Sequence, residues 1–285
     1  MSEIRLAVLC DFDGTITKTD VGHQIYTKFG DDRWKEVNES WRRGEISSKD
    51  CLIGEYSFMS ASEQEVREYV LEMEIDLGFL DLVKTCRDND IPIAIASDGF
   101  DFYIHTILEK YGLSDLEVFC NEMQFNGCKV ELSFPYYDQG CGICGNCKKL
   151  HVQRFKEVER KVIYIGDGLS DRFAARASDV IFAKNDLMKY LVENGVDFIQ
   201  FSDLGAVNRW VAGLLAKNIQ FPSPSNGRGS VDPCQEVTLL GKNKPDQKKK
   251  SEKKNDIKKY KMKKSVEDMV GDRYIVYYEW SQTEE

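Results

Sequence analysis

No apolar run in this 285-residue chain approaches the roughly 20 residues of a membrane-spanning helix, and no basic segment followed by an apolar core opens it. Those two gaps set the expectation of a cytoplasmic protein without a transmembrane segment. An internal repeat is also missing, which sets aside an array of stacked units. Basic residues are scarce over most of the length. Residues 222–285 hold 14 Lys/Arg against 11 Asp/Glu, leaving 25 against 37 for residues 1–221. An acidic body argues against a nucleic-acid footprint there, and requires a local basic residue or a metal wherever an anionic substrate is held. Without a secretory signal, the nine cysteines read as reduced thiols or metal ligands, not as a disulfide framework. Six stand singly, and only Cys141, Cys144 and Cys147 cluster.

What is present suits a globular domain with material for a sizeable core: 42% of the residues are hydrophobic and 11% aromatic. "RLAVLC" (Arg5 to Cys10) is a short, nearly continuous apolar run, as expected of a strand covered on both faces. Similar runs return in "IPIAIAS", "KVIYIGD", "DVIFAK" and "VDFIQF", with helical patterns such as "GFLDLVKTCRDND", "FDFYIHTILEKYG" and "DLMKYLVENG" between them. Strands alternating with helices of this length predict an α/β fold, a doubly wound parallel sheet whose ligands bind beyond the carboxyl ends of the strands.

Two insertions interrupt the rhythm. About residues 20–76 contain helical stretches and no strand, including a capping-box pattern at Ser62 and Glu65, and predict a small helical cap over the end of the sheet. About residues 120–137 carry Asn126-Gly127 between strand-like runs, a hairpin signal. Composition changes after Phe221. Residues 222–285 read as a lysine-rich, partly disordered tail beyond a 1–221 domain, with a basic surface that could bind nucleic acid or an anionic membrane. Within the tail, "RYIVYYEW" is β-prone and is expected to pair with "EVTLL" or to dock on the body.

Three of the expected strands end in polar residues that would share one crevice. The first ends in Asp11 and Asp13, which point the same way along an extended chain. "AIASDGF" ends in Ser97, Asp98 and Gly99, and "VIYIGDGLSD" in Asp167 followed by Asp171. A calcium loop would need a glutamate at its twelfth position, where Gly22 stands. A carboxylate cluster at strand ends suits Mg²⁺, which favours hard oxygen ligands.

"DFDGT", "SDG", a lysine after an insertion in "CGNCKK", and "GDGLSD" resemble, in order, the four motifs of the haloacid dehalogenase superfamily of phosphatases, over Leu6 to about Lys184. The early helical insertion and the cysteine-flanked lysine are similar to its phosphoserine phosphatase-like branch, which includes methionine-salvage and phosphoethanolamine/phosphocholine phosphatases. The resemblance implies hydrolysis of a small phosphorylated metabolite. Asp11 would be the nucleophile and Asp13 the general acid and base. Asp11, the backbone carbonyl of Asp13, and Asp167 would hold Mg²⁺, with Asp171 a further ligand or an orienter. Ser97, Asp98 and Gly99 would bind the phosphoryl group, and Lys148, or its neighbour Lys149, would offset its charge.

Many relatives carry Ser-Gly-Gly where this chain has Ser97-Asp98-Gly99, so an added carboxylate in the pocket favours a substrate bearing a cation. Asp20 stands where phosphoserine phosphatases often place an amine-binding glutamate; it also suits a helix N-cap. His23 is a further candidate from the cap. Cys141, Cys144 and Cys147 with His151 could form a zinc site, or simply a tight loop that presents Lys148. A phosphotransferase such as a mutase, or a scaffold without catalysis and with an anion-binding tail, are the alternatives.

Overall fold

The structure, a computed structural model, describes residues 4–217, 220–221, 260–269 and 273–282. All five residues of β1 (Leu6–Cys10) are buried. The strand lies mid-sheet between β2 (Ile93–Phe100) and β5 (Lys161–Gly166), parallel to both. With β3 (Glu117–Asn126), β4 (Lys129–Ser133), β6 (Val180–Ala183) and β7 (Ile199–Gln200), the order is β4-β3-β2-β1-β5-β6-β7. Every neighbouring pair is parallel except β3 and β4. The order reverses direction at β1, which opens a crevice at its carboxyl end.

Alternation along the strands builds two cores. Val8, Cys10, Ile95 and Ile165 face one, with α5 (Gly78–Asp88), α6 (Asp101–Lys110) and α10 (Leu204–Leu215) over it. Leu9, Ala94, Ala96 and Tyr164 face the other, under α7 (Lys148–Glu157), α8 (Arg172–Ala177) and α9 (Asn185–Glu193). The expected strand in "VDFIQF" shortens to the two residues of β7, which pair only with Phe182 and Ala183 at the sheet edge.

The cap expected after the first strand consists of α1 (Val21–Phe29), α2 (Trp34–Arg42), α3 (Ser48–Ser57) and α4 (Glu63–Val70). Ser62 and Glu65 form the capping box that starts α4. The β3–β4 hairpin turns at Gly127, φ +64°, between paired Asn126 and Lys129. Two main-chain bonds fasten the cap to other insertions. Ala61 donates its N–H to the Cys128 carbonyl of the hairpin turn, and Ser48 to the Ile143 carbonyl of the cysteine loop, each at 3.1 Å.

The chain divides into two compact units, Met1–Leu239 and Leu240–Glu285. In the second, β8 (Tyr260–Met269) and β9 (Arg273–Gln282) form an antiparallel pair. Among the described residues "RYIVYYEW" thus pairs with "YKMKKSVEDM". Glu236–Leu240 and most of the lysine-rich run lie outside the described residues. Among the described residues no helix is long and apolar enough to cross a membrane.

Candidate active site

Asp11 extends β1 by one residue, its N–H bonded to the Ile165 carbonyl of β5. Its carboxylate is only 4% exposed, and at 2.5 Å it meets the Nζ of Lys148, the first residue of α7. The same ammonium reaches Asp171 Oδ1 at 2.7 Å and Ser170 Oγ at 3.2 Å. Lys148, and not Lys149, is therefore the lysine that faces the first aspartate. Asp171 is fully buried and accepts three further hydrogen bonds: from the Tyr164 hydroxyl at 2.6 Å and from the Asp167 and Gly168 N–H groups, both at 3.0 Å. Asp167 accepts from the Thr15 hydroxyl at 3.0 Å and the Asn185 amide at 3.1 Å. Gly14 passes beside it with φ +72°, and a Cβ there would lie 2.7 Å from Asp167 Oδ2.

Asp13 is gripped from two sides. One oxygen accepts the N–H groups of Val21 and Gly22 at the start of α1, at 2.9 and 3.3 Å. The other accepts the Tyr103 hydroxyl at 2.7 Å and the Ser97 hydroxyl at 3.3 Å. Gly99 makes this convergence possible, because a Cβ there would stand 1.8 Å from the Tyr103 hydroxyl and 2.8 Å from Asp13 Oδ2. The Gly99 N–H bonds to Ser97 Oγ at 2.9 Å. Asp98 enters the cavity wall, yet one of its oxygens accepts the Asn146 N–H at 3.0 Å. Asp20 caps α1, accepting the His23 N–H at 2.7 Å, and it too borders the cavity.

The charges are unbalanced. Asp11, Asp167 and Asp171 offer oxygens all within 4.8 Å of one another, and among the described residues Lys148 is the one cation bonded among them. Burial first and Asp171 second raise the Asp11 carboxyl well above the usual carboxylate range, with Lys148 opposing. Burial, then Asp20, pushes Asp13 up to about 7. Asp20, reachable by solvent yet enclosed by the cavity walls, is pushed up to about 6, and Asp98 and Asp167 are raised in the same direction, burial being the first cause each time. Excess negative charge on hard oxygen donors is what a divalent cation offsets. The residues present thus fit Mg²⁺.

One cavity of about 790 Å³ joins these groups to the cap, whose lining includes His23, Tyr26, Trp34, Glu55 and Tyr56. The rings of Tyr26 and Trp34 are 5.4 Å apart, those of His23 and Trp34 4.9 Å, and those of Tyr26 and Tyr56 5.6 Å. Glu55, 4% exposed, accepts the Asn38 amide at 3.0 Å and makes no ion pair with a basic side chain among the described residues. Burial raises its pKa.

The zinc expectation does not assemble. Among the described residues, the one group of three or more His, Cys, Asp or Glu side chains close enough to share an ion is the aspartate trio. His151 Nε2 lies 2.7 Å from Asn146 Oδ1. Thr15, Tyr103, Tyr164, Glu55 and Asn185 escaped the sequence reading. Thr15 sits inside "DFDGT" and Asn185 just past the end of β6, so a strand-end rule applied to every strand would have found both; Tyr103 and Tyr164 carry no such mark.

A mostly parallel sheet in this order, with paired aspartates closing its central strand and a lysine and two more aspartates converging on the first, defines the haloacid dehalogenase class of phosphatases. The chain belongs to the phosphatase family described as "Putative Phosphatase", whose model matches residues 6–211. A 2-hydroxy-3-keto-5-methylthiopentenyl-1-phosphate phosphatase of Lysinibacillus sphaericus is 31% identical over 76% of this chain and 98% of that protein. The bifunctional enzyme MtnB/MtnX of Bacillus licheniformis is 32% identical over 71% of this chain, which spans about half of that longer protein (48%). A solved phosphoserine phosphatase, in a phospho-aspartyl intermediate analogue form, shares the fold with a TM-score of 0.58 at 19% identity, covering 73% of this chain and 99% of that one.

Proposed function

We propose that the protein is a Mg²⁺-dependent phosphomonoesterase that hydrolyses a small phosphorylated metabolite through an aspartyl phosphate on Asp11. The observation that carries this reading is the meeting of Asp11 with Lys148 at the end of the central strand, inside a cavity that Asp13 also borders. An Asp11 oxygen attacks phosphorus as the bond to the substrate's ester oxygen breaks, and Asp13 delivers a proton to that oxygen. Water then attacks the aspartyl phosphate while Asp13 takes its proton, releasing inorganic phosphate and free Asp11. Lys148 and the Ser97 hydroxyl lie where they can hold the phosphoryl oxygens during both displacements. Asp11, Asp167 and the Asp13 carbonyl would hold Mg²⁺, which supplies the positive charge that lets one anion approach another. Asp171, with both oxygens already engaged, orients Lys148 and the Asp167 loop.

For the substrate, the first candidate is 2-hydroxy-3-keto-5-methylthiopentenyl 1-phosphate. Support comes from the relatives bearing that name and from the ring-lined cap pocket, since aromatic rings favour a thioether sulfur. A second reading takes a substrate with an ammonium group, such as phosphocholine, phosphoethanolamine or phosphoserine. It is favoured by the buried, cation-free Glu55 beside Tyr26 and Trp34. Hydrolysis of these four esters and of p-nitrophenyl phosphate, with Mg²⁺ and with EDTA, tests both. Equal rates with EDTA would remove the metal from the reading, and no hydrolysis of any ester would remove the activity.

A further inference from the structure

The loop that delivers Lys148 is held by two residues that the reaction does not use. Asn146, 1% exposed, donates its side-chain amide to the Ser97 carbonyl at 2.8 Å and to the Phe119 carbonyl at 2.7 Å, and its backbone N–H to Asp98. Its own carbonyl accepts the Lys148 N–H at 2.9 Å. With both amide hydrogens committed to carbonyls, the side-chain oxygen is left facing His151 Nε2 at 2.7 Å. An amide oxygen only accepts, so Nε2 carries the hydrogen and Nδ1 is a bare lone pair. Nδ1 is buried without a partner among the described residues.

The ring of His151 is fully buried, stacked on Phe119 at 4.2 Å and 7°, with Tyr136 edge-on at 4.7 Å. Burial first, then the nearby charges of Arg154 and Lys148, push its pKa down to about 3 and keep it neutral. Packing alone would be served as well by a leucine or phenylalanine. The two carbonyls set which way the Asn146 amide faces, and a donor at Nε2 is what keeps its buried oxygen paired and the group held in that one pose.

We propose that Asn146 and His151 are a positioning pair: His151 holds the Asn146 amide in its one pose, and that amide sets the spacing between the phosphoryl-binding end of β2 and Lys148 at the start of α7. The inference rests on the phosphatase reading, because the quantity it controls is how Lys148 meets the transferring group. A misplacement of about 1 Å in a catalytic group costs on the order of 10²-fold in rate.

The test compares His151→Leu, which keeps bulk and loses the donor, with His151→Gln, whose amide nitrogen reaches the same place as Nε2. Val152→Ala on the same helix serves as a packing control, being buried with no polar role. With p-nitrophenyl phosphate and Mg²⁺, His151→Leu should lower kcat by roughly 10- to 100-fold and shift KM by less than about threefold, with His151→Gln restoring most of the rate. Inhibition by orthovanadate, a five-coordinate mimic, should weaken more than inhibition by inorganic phosphate. Val152→Ala should lower the melting temperature and leave kcat alone. Equal kcat in the Leu and Gln variants, both fast or both slow, would overturn the inference while the active wild type upholds the phosphatase reading. An inactive wild type would overturn both. If His151→Leu does not fold, His151→Asn replaces it: its shorter amide cannot reach, so a rate equal to that of His151→Gln also refutes the pair.

Discussion

The floor and the roof of the cavity are built on opposite terms. On the floor, the carboxylates are fixed by hydrogen bonds and charge: Asp13 by four groups, Asp171 by four, Asp11 by the lysine. On the roof, Tyr26, Trp34, His23 and Tyr56 meet ring to ring, and Glu55 is steadied by neutral Asn38. A charge-dense floor tolerates no change of residue type, whereas stacked rings admit substitutions that keep their bulk. Under the proposed reaction, the contrast puts reaction type on the sheet and substrate choice on the cap.

Breaking the floor should have the largest effect. Asp11→Asn should lower phosphatase activity on every ester by on the order of 10³-fold or more, read as kcat/KM with p-nitrophenyl phosphate and the natural candidates. Lys148→Met comes next. It leaves Asp11 and Asp171 buried without their cation, and urea unfolding in EDTA should show a loss of about 3–5 kcal/mol. Adding Mg²⁺ should return part of that stability, because a cation held by the same carboxylates favours the folded state. A variant as stable as the parent would show that the ion pair is not what balances the floor.

The roof should respond more mildly and more selectively. Glu55→Gln should leave p-nitrophenyl phosphate hydrolysis within about threefold but change the kcat/KM ratio between ammonium-bearing and methylthio esters by about tenfold. A uniform fall across substrates would merge roof and floor. Near neutral pH the smallest effect is a proton-linked contribution outside both, one that grows as the solution is acidified. His151 titrates near 3 when folded and near 6.5 when unfolded, so below pH 6.5 the unfolded chain takes up a proton that the folded one refuses. Stability is lost as pH falls from 6.5 toward 3, by up to about 1.4 kcal/mol per pH unit, and His151→Gln should lack that slope.

The floor was largely legible in the sequence because strand ends in a parallel sheet must converge, and Asp11, Asp13, Ser97 and Asp167 stand directly after apolar runs. Lys148 against Lys149 was not decided there, since the start of α7 and its angle depend on the Asn146 bonds to β2. Glu55 and Tyr103 were out of reach for a different reason. Each lies on a helix whose buried face looks like ordinary core, and only tertiary packing turns that face toward the cavity. The β8–β9 pairing was not anticipated, because the lysine-rich composition of Tyr260–Met269 hides its strand character.

The bonds from Ala61 to the hairpin turn and from Ser48 to the cysteine loop carry a consequence for turnover. Lifting the roof at these places would break both bonds, at a net cost of roughly 0.5–1.5 kcal/mol each, and the second of them sits on the loop that leads to Lys148.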